Sequence, residues 1–225
     1  MEGPAPERTF VFADMAGFTA LTEVMGDEEA VQVAEAFFDG ARALLAEHGA
    51  NEVKTIGDAL MIEAGEAADA IRLGVRLTGE VGARHGFPSV RLGMHTGPAL
   101  QRGQDWFGAT VNLAARVSGA AAGGEVLLTE ATRAAAGELS DIDLVDHGRH
   151  RFRNVAEPVA LFRAFALGGE LSADQLPIDP VCRMAVDPAQ QAGLLIHDGV
   201  EYRFCSLECA RRFAEAPERF SGAES

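Results

Sequence analysis

Between residues 8 and 97 the apolar pattern switches back and forth between two periods, and this limits the available folds more than any other feature of the chain. Residues 8–14, RTFVFAD, read as a buried strand running into MAGFT. Residues 28–48 then place Ala34, Phe37, Phe38, Ala41, Leu44 and Leu45 at helical spacing, and Gly49 stops the run. NEVKTIGDALMIEA gives two short strands joined at a Gly57 turn. Residues 66–84 return to helical spacing through Ala70, Ile71, Leu73, Gly74 and Leu77, and SVRLGMHTG after the Phe87-Pro88 break is another strand. The order strand, helix, strand, strand, helix, strand predicts a ferredoxin-like α+β sandwich, with two helices covering one face of three to four strands.

Beyond it, GATVNLAARVSGAA reads as a helix ending near Gly123, EVLLT as a strand and EATRAAA as a short helix, with DIDLVDHG and PVALFRAFAL as extra closing strands. The expected organisation is a domain over 8–166, a Gly/Ser/Asp/Pro-rich linker over 167–177 and a small Cys-rich α+β unit over 178–221. A chain of 225 residues that is 48% hydrophobic can bury one good-sized core and a small second unit. Its net charge of −15 argues against nucleic acid as the main partner. No apolar run approaches the roughly 18–20 residues of a membrane span, and MEGPAPERTF lacks the basic and apolar regions of a leader, so a cytoplasmic chain without membrane attachment is expected. The three cysteines, Cys182, Cys205 and Cys209, all lie in the small unit and read as thiols or metal ligands rather than a disulfide framework.

Taken singly, the charged residues of the large domain have ordinary explanations. Lys54 and Asp58 flank a turn, Asp14 ends a strand beside glycine, and Asn112 with Arg116 is an exposed helix face. Together, their segments resemble the catalytic domain of class III nucleotidyl cyclases, over residues 8 to about 166. The F-x-D-x-x-G-F-T pattern is met by Phe12, Asp14, Gly17, Phe18 and Thr19, and K-x-x-G-D by Lys54, Gly57 and Asp58. D-x-x-G-x-x-V-N-x-A-x-R is met by Asp105, Gly108, Val111, Asn112, Ala114 and Arg116.

The resemblance implies that Asp14, Asp58 and the Met15 carbonyl hold two Mg²⁺ or Mn²⁺ ions, hard cations that take oxygen ligands. It implies that Arg116 meets the α-phosphate, that Asn112 orients the ribose, and that Arg153 occupies the family's phosphate-binding lysine position. The Phe18 and Thr19 amides, opening a helix, can cradle phosphates. A lysine only donates and a carboxylate only accepts, so Lys54 on adenine N1 and Asp105 on the 6-amino group would select ATP over GTP. Lys54 and Asp58 point different ways from their tip, so the resemblance further implies a homodimer with sites shared between copies. The preferred reading is an ATP-cyclising enzyme that makes cyclic AMP and pyrophosphate. A guanylate cyclase and a catalytically silent nucleotide or metal sensor are the alternatives.

The C-terminal segments IDPVCRMAVDP and VEYRFCSLECARRFAEAPERF resemble the YHS or TRASH-type metal-binding domain. Cys205 and Cys209, spaced C-x₃-C at a helix start, with Cys182 as a third thiolate, suit Zn²⁺ or Cu⁺. His197, a water or an open position completes the set, and three cysteines packing as small hydrophobes is the other reading. Arg183 stands where this family often has glycine.

Overall fold

A computed structural model describes residues 6–168 and 176–221, so most of the linker expected over 167–177 lies outside the described residues. The opening strand, β1 (Glu7–Met15), is buried on both faces: Val11, Ala13 and Met15 join one core cluster and Phe10 and Phe12 another. After it come α1 (Phe18–Met25) and α2 (Asp27–Leu45). A 3₁₀ turn, Ala46–His48, follows α2, and Gly49 at φ 55° closes it as the sequence predicts. The hairpin of β2 (Ala50–Ile56) and β3 (Ala59–Ala64) turns at Gly57, whose φ of 62° favours glycine.

The next helix, α3 (Ala67–Arg76), stops short of the range its pattern suggests and widens into a π turn over Leu77–Val81. Gly79 and Gly82 weaken α-helix there, while Leu77 and Val81 stay buried. Strand β4 (Val90–Pro98) completes the ferredoxin-like core. A short hairpin that the sequence did not reveal, β5 (Leu100–Arg102) and β6 (Asp105–Phe107), leads into α4 (Ala109–Ala120). Three-residue strands are too short to show a period. The chain continues through β7 (Val126–Thr129), α5 (Glu130–Ala136), β8 (Ile142–His150) and β9 (Val159–Ala166).

The sheet runs β2-β3-β1-β4-β7-β9-β8, and its first four strands have the ferredoxin-like order. All neighbours are antiparallel except β4 and β7. On one face, Phe37, Phe38, Ala41 and Leu44 of α2 and Ala70, Ile71 and Leu73 of α3 pack against the sheet. Each fully buried Phe, Leu or Ile among them contributes about 1.5–3 kcal/mol. The expectation of helices on one face alone is incomplete, because α4 lies on the other. Gly93 of β4 admits it: a Cβ there would stand 1.8 Å from Ser118 N and 2.3 Å from Ser118 Cα.

The C-terminal unit consists of the hairpin β10 (Gly193–His197) and β11 (Val200–Phe204) followed by α6 (Leu207–Glu215) and α7 (Pro217–Phe220). Its Val181, Cys182, Met184, Phe204, Cys209 and Phe213 share one buried cluster with Leu21 of α1 and Ala30 of α2. Among the described residues, no helix is long and apolar enough to cross a membrane.

Candidate active site and cysteine cluster

Strand alternation places Asp14 on the same sheet face as Phe10 and Phe12, the face that carries α4. Its backbone neighbours are Ala59 on β3 and Arg91 on β4. The Arg91 guanidinium takes up Asp14, with Nε 2.7 Å and Nη2 2.5 Å from Oδ2. Arg91 escaped the sequence reading, although it is the one Lys, Arg, Asp or Glu in SVRLGMHTG. Counting the antiparallel register opposite Asp14 would have found it.

Asp58 follows the Gly57 turn. Burial, then the neighbouring Asp14 charge, push its carboxyl above the usual carboxylate range. Two neighbouring carboxylates are a hard oxygen donor set that suits divalent cations, so the residues fit the implied Mg²⁺ or Mn²⁺. The Met15 side chain is 1% exposed within the core, which leaves only its backbone carbonyl to act as a ligand. Gly17, at φ 85°, opens α1 with no side-chain cap, and the first hydrogen bond into the helix runs from Leu21 N to Gly17 O. The amides of Phe18 and Thr19 therefore have no partner within the helix.

Lys54 and Asp105 form a second group. Lys54 lies opposite Met61 on β3, and Met61 packs on the α4 face. The β5–β6 hairpin brings Asp105 alongside, and Lys54 Nζ sits 2.6 Å from Asp105 Oδ2. The pair remains open to solvent, with side chains 41% and 32% exposed. Lys54 together with the Trp106 N–H on Oδ1 holds the Asp105 carboxyl below its ordinary range. The Lys54 ammonium also stands 5.9 Å from the centre of the Phe107 ring. Lys54 is two strands and two residues away from Asp14, about 12 Å by strand geometry.

On α4, Val111, Ala114, Val117 and Ser118 are buried, whereas Asn112 is exposed and Arg116 half-buried. Neither polar side chain has a hydrogen bond or ion pair among the described residues, and their i, i+4 spacing puts them on one side of the helix. Arg153 is exposed in the loop between β8 and β9, next to Phe152, which packs with Val117 of α4. The structure thus arranges the candidate residues in three groups: Asp14, Asp58 and the α1 amides; Lys54 with Asp105; and Asn112 with Arg116 on α4. Arg153 stands apart from these in the β8–β9 loop.

In the C-terminal unit, ligand atoms of Asp179, Cys182, Cys205 and Cys209 all lie within 4.8 Å of one another. Cys182 Sγ is 3.3 Å and Cys209 Sγ 3.9 Å from Cys205 Sγ, so the thiols converge without a disulfide. Ser206 caps α6 by accepting the Cys209 N–H at 3.1 Å, which fixes Cys209 in the first helical turn. Hydrogen bonds from Cys182 and then Cys205 hold the Cys209 thiol below its ordinary range. Three convergent sulfurs fit a soft ion such as Zn²⁺ or Cu⁺.

His197 is not in this cluster. Its ring stands edge-on to Phe213 at 6.0 Å, and Nε2 lies 3.6 Å from Asp198. Asp179, which the sequence did not single out as a site residue, occupies that space. Its buried carboxylate accepts the N–H groups of Val181 at 2.8 Å, Cys182 at 3.4 Å and Cys205 at 2.9 Å, so it anchors the two thiol-bearing turns. Arg183 adopts φ 66°, the left-handed conformation a glycine would take, so the turn keeps its shape despite the larger residue.

Comparison with known proteins agrees with this architecture. The family model for the adenylate and guanylate cyclase catalytic domain matches residues 3–155, and the YHS domain model matches residues 178–224. The pH-sensitive adenylate cyclase MT1302 of Mycobacterium tuberculosis is 37% identical over 162 residues, covering 71% of this chain and 41% of that protein. An adenylate cyclase of Streptomyces griseus is 37% identical over 117 residues, covering 52% of this chain and 29% of that protein. The chain spans less than half the length of either relative. Among solved structures, an adenylate cyclase from Trypanosoma brucei superposes with a TM-score of 0.67 at 23% identity, over 73% of this chain and 90% of that one. The adenylyl cyclase CyaB from P. aeruginosa gives 0.63 at 20% identity, over 73% and 96%; at such identities the likeness speaks to the fold. The chain belongs to the class III adenylate and guanylate cyclase catalytic domain family and carries a C-terminal YHS domain.

Proposed function

We propose that this protein is an adenylate cyclase, converting ATP to 3′,5′-cyclic AMP and pyrophosphate at sites shared between two copies of the chain. The observation that carries the choice of base is the Lys54–Asp105 pair, 2.6 Å apart on the open sheet face. It presents one obligate donor beside one obligate acceptor, which matches adenine N1 and its 6-amino group. Guanine has the opposite pattern and would leave both charges facing the wrong partner. The adenylate cyclase names of the two curated relatives point the same way.

The ions that Asp14, Asp58 and the Met15 carbonyl would hold supply charge neutralisation on the triphosphate and ease deprotonation of the 3′-hydroxyl. The remaining work belongs to side chains and amides of the protein. The Phe18 and Thr19 amides, which have no partner within the helix, bind phosphate oxygens at the helix start. Arg91, paired with Asp14, is a further positive charge at the same place. From the other copy, Arg116 faces the developing charge on the α-phosphate, Asn112 one turn earlier orients the ribose, and Arg153 meets the outer phosphates. The 3′-oxygen forms its bond to the α-phosphorus as the bond to pyrophosphate breaks. The roughly 12 Å between Lys54 and Asp14 suits a division in which one copy's base-binding pair faces its twin's carboxylates. A cytoplasmic location belongs to the same proposal.

The test is to incubate the purified chain with Mn²⁺ or Mg²⁺ and either ATP or GTP, and identify the products by mass. Cyclic AMP from ATP is expected. Cyclic GMP from GTP as the sole product would select the guanylate reading, and no product from either nucleotide in a folded chain would select the silent sensor.

A further inference from the structure

The C-terminal unit sits directly on the loop that carries the catalytic candidates. Residues 183–187 run alongside residues 85–89, where Gly86 N donates to Ala185 O at 2.9 Å, Ala185 N to Phe87 O at 2.8 Å and Ser89 N to Arg183 O at 3.4 Å. Pro88 and Met184 form a β-bridge, and Asp187 N donates to His85 Nδ1 at 3.0 Å. The same short segment holds the loop after Asp14, because Ala16 N donates to Ser89 O at 2.7 Å. The Arg183 stem covers Gly17: a Cβ on that glycine would lie 2.6 Å from Arg183 Cβ and 2.3 Å from its Cγ. On the far side, Arg212 Nη1 donates to Glu23 O of α1 at 3.1 Å.

The turn that presents Arg183 is built by the thiol cluster. Arg183 N donates to Asp179 O at 2.9 Å, and the Asp179 carboxylate holds the amides of Val181, Cys182 and Cys205. Arg183 keeps its left-handed φ of 66° because these bonds fix the residues around it. Cys182 and Cys209 belong to the same buried cluster as Leu21 of α1, which is 0% exposed. A continuous packed path therefore runs from the three sulfurs through the 179–183 turn to Gly17 and the Asp14–Thr19 loop.

We propose that Arg183 is a positioning residue for the catalytic loop, and that a soft metal ion on Cys182, Cys205 and Cys209 tightens the loop by fixing the turn from which Arg183 projects. The YHS unit is then an internal brace, and the state of its cysteines governs how firmly Asp14, Met15 and the α1 amides are held for the nucleotide. Its catalytic consequence rests on the cyclase reading, but the mechanical coupling does not.

Hydrogen exchange of the full-length chain with and without one equivalent of Zn²⁺, without nucleotide, reads the coupling at residues 16–25. Zinc is expected to slow exchange there about tenfold. Cys205→Ser should abolish the effect, and Asp58→Ala should retain it, which separates the thiol site from the carboxylates. Arg183→Gly suits the left-handed backbone and leaves the thiols intact. It should bind zinc normally by equilibrium dialysis yet lose the protection, while Arg183→Lys, which keeps the aliphatic stem over Gly17, should retain it. In the cyclase assay, Arg183→Gly should raise the Mn²⁺ concentration for half-maximal rate several-fold, with kcat little changed. The proposal is overturned if no cysteine-dependent zinc uptake occurs, if zinc binds the thiols without changing exchange at 16–25, or if Arg183→Gly keeps full protection. A chain that shows the coupling but forms no cyclic nucleotide would refute the enzymatic reading alone.

Discussion

At the scale of single residues, Lys54 and Asp105 already satisfy each other before any nucleotide arrives. With side chains 41% and 32% exposed, they form a pair that an incoming base can separate at low cost. Lys54→Ala should therefore lower the preference for ATP over GTP by about a hundredfold or more, measured as the ratio of kcat/KM values, with little change in unfolding midpoint. His95 offers a separate prediction. Burial holds its pKa below the ordinary 6.5, with Nδ1 2.7 Å from Thr129 Oγ1. The folded chain thus keeps His95 neutral while the unfolded chain takes up the proton first as pH falls. Its contribution to stability is complete above pH 6.5 and is lost as the pH drops from there towards the lower folded-state value. Urea unfolding across that range should show a shallower acid loss in His95→Gln than in the natural sequence. Residues of this kind differ in how readable they were. Asp14, Lys54, Asp58 and Asp105 stood out by their spacing, whereas Arg91 becomes conspicuous only once β4 is paired with β1.

At the scale of elements, the long α2 was legible because seven buried positions recur at helical spacing along it. The β5–β6 hairpin was not, because each of its strands has 3 residues, yet it is the element that delivers Asp105 to Lys54. The placement of α4 on its own side of the sheet was equally hidden, since periodicity shows which helix side is buried but not against which sheet face. Gly93 records that contact. With Ser118 N only 1.8 Å from where its Cβ would stand, Gly93→Ala must push backbone against backbone. It should destabilise the fold by about 1–3 kcal/mol in denaturant titration and, by displacing α4, cost activity beyond the loss of folded protein. Gly57→Ala, at φ 62° but with open space around it, should affect stability less and leave α4 in place.

At the scale of the whole molecule, the shared-site proposal predicts complementation. Asp58→Ala and Arg116→Ala chains should each be nearly inactive alone. An equimolar mixture should recover about a quarter of natural activity, since half the dimers are mixed and each mixed dimer has one intact site. A mixture that stays inactive, while analytical ultracentrifugation shows both variants folded and exchanging partners, would remove the shared-site arrangement. The C-terminal unit acts at this scale too, because its core is continuous with α1 and α2. By itself the sequence determined the order of the longer strands and helices, the two families and the chemistry of the candidate residues, because periodicity and side-chain type are local properties. Only the tertiary structure decided that Asp14 pairs with Arg91, that α4 crosses Gly93 and that Arg183 rests on Gly17. Those contacts join residues 77, 25 and 166 positions apart, and their geometry is set by sheet register and close packing, which leave no trace in the local pattern.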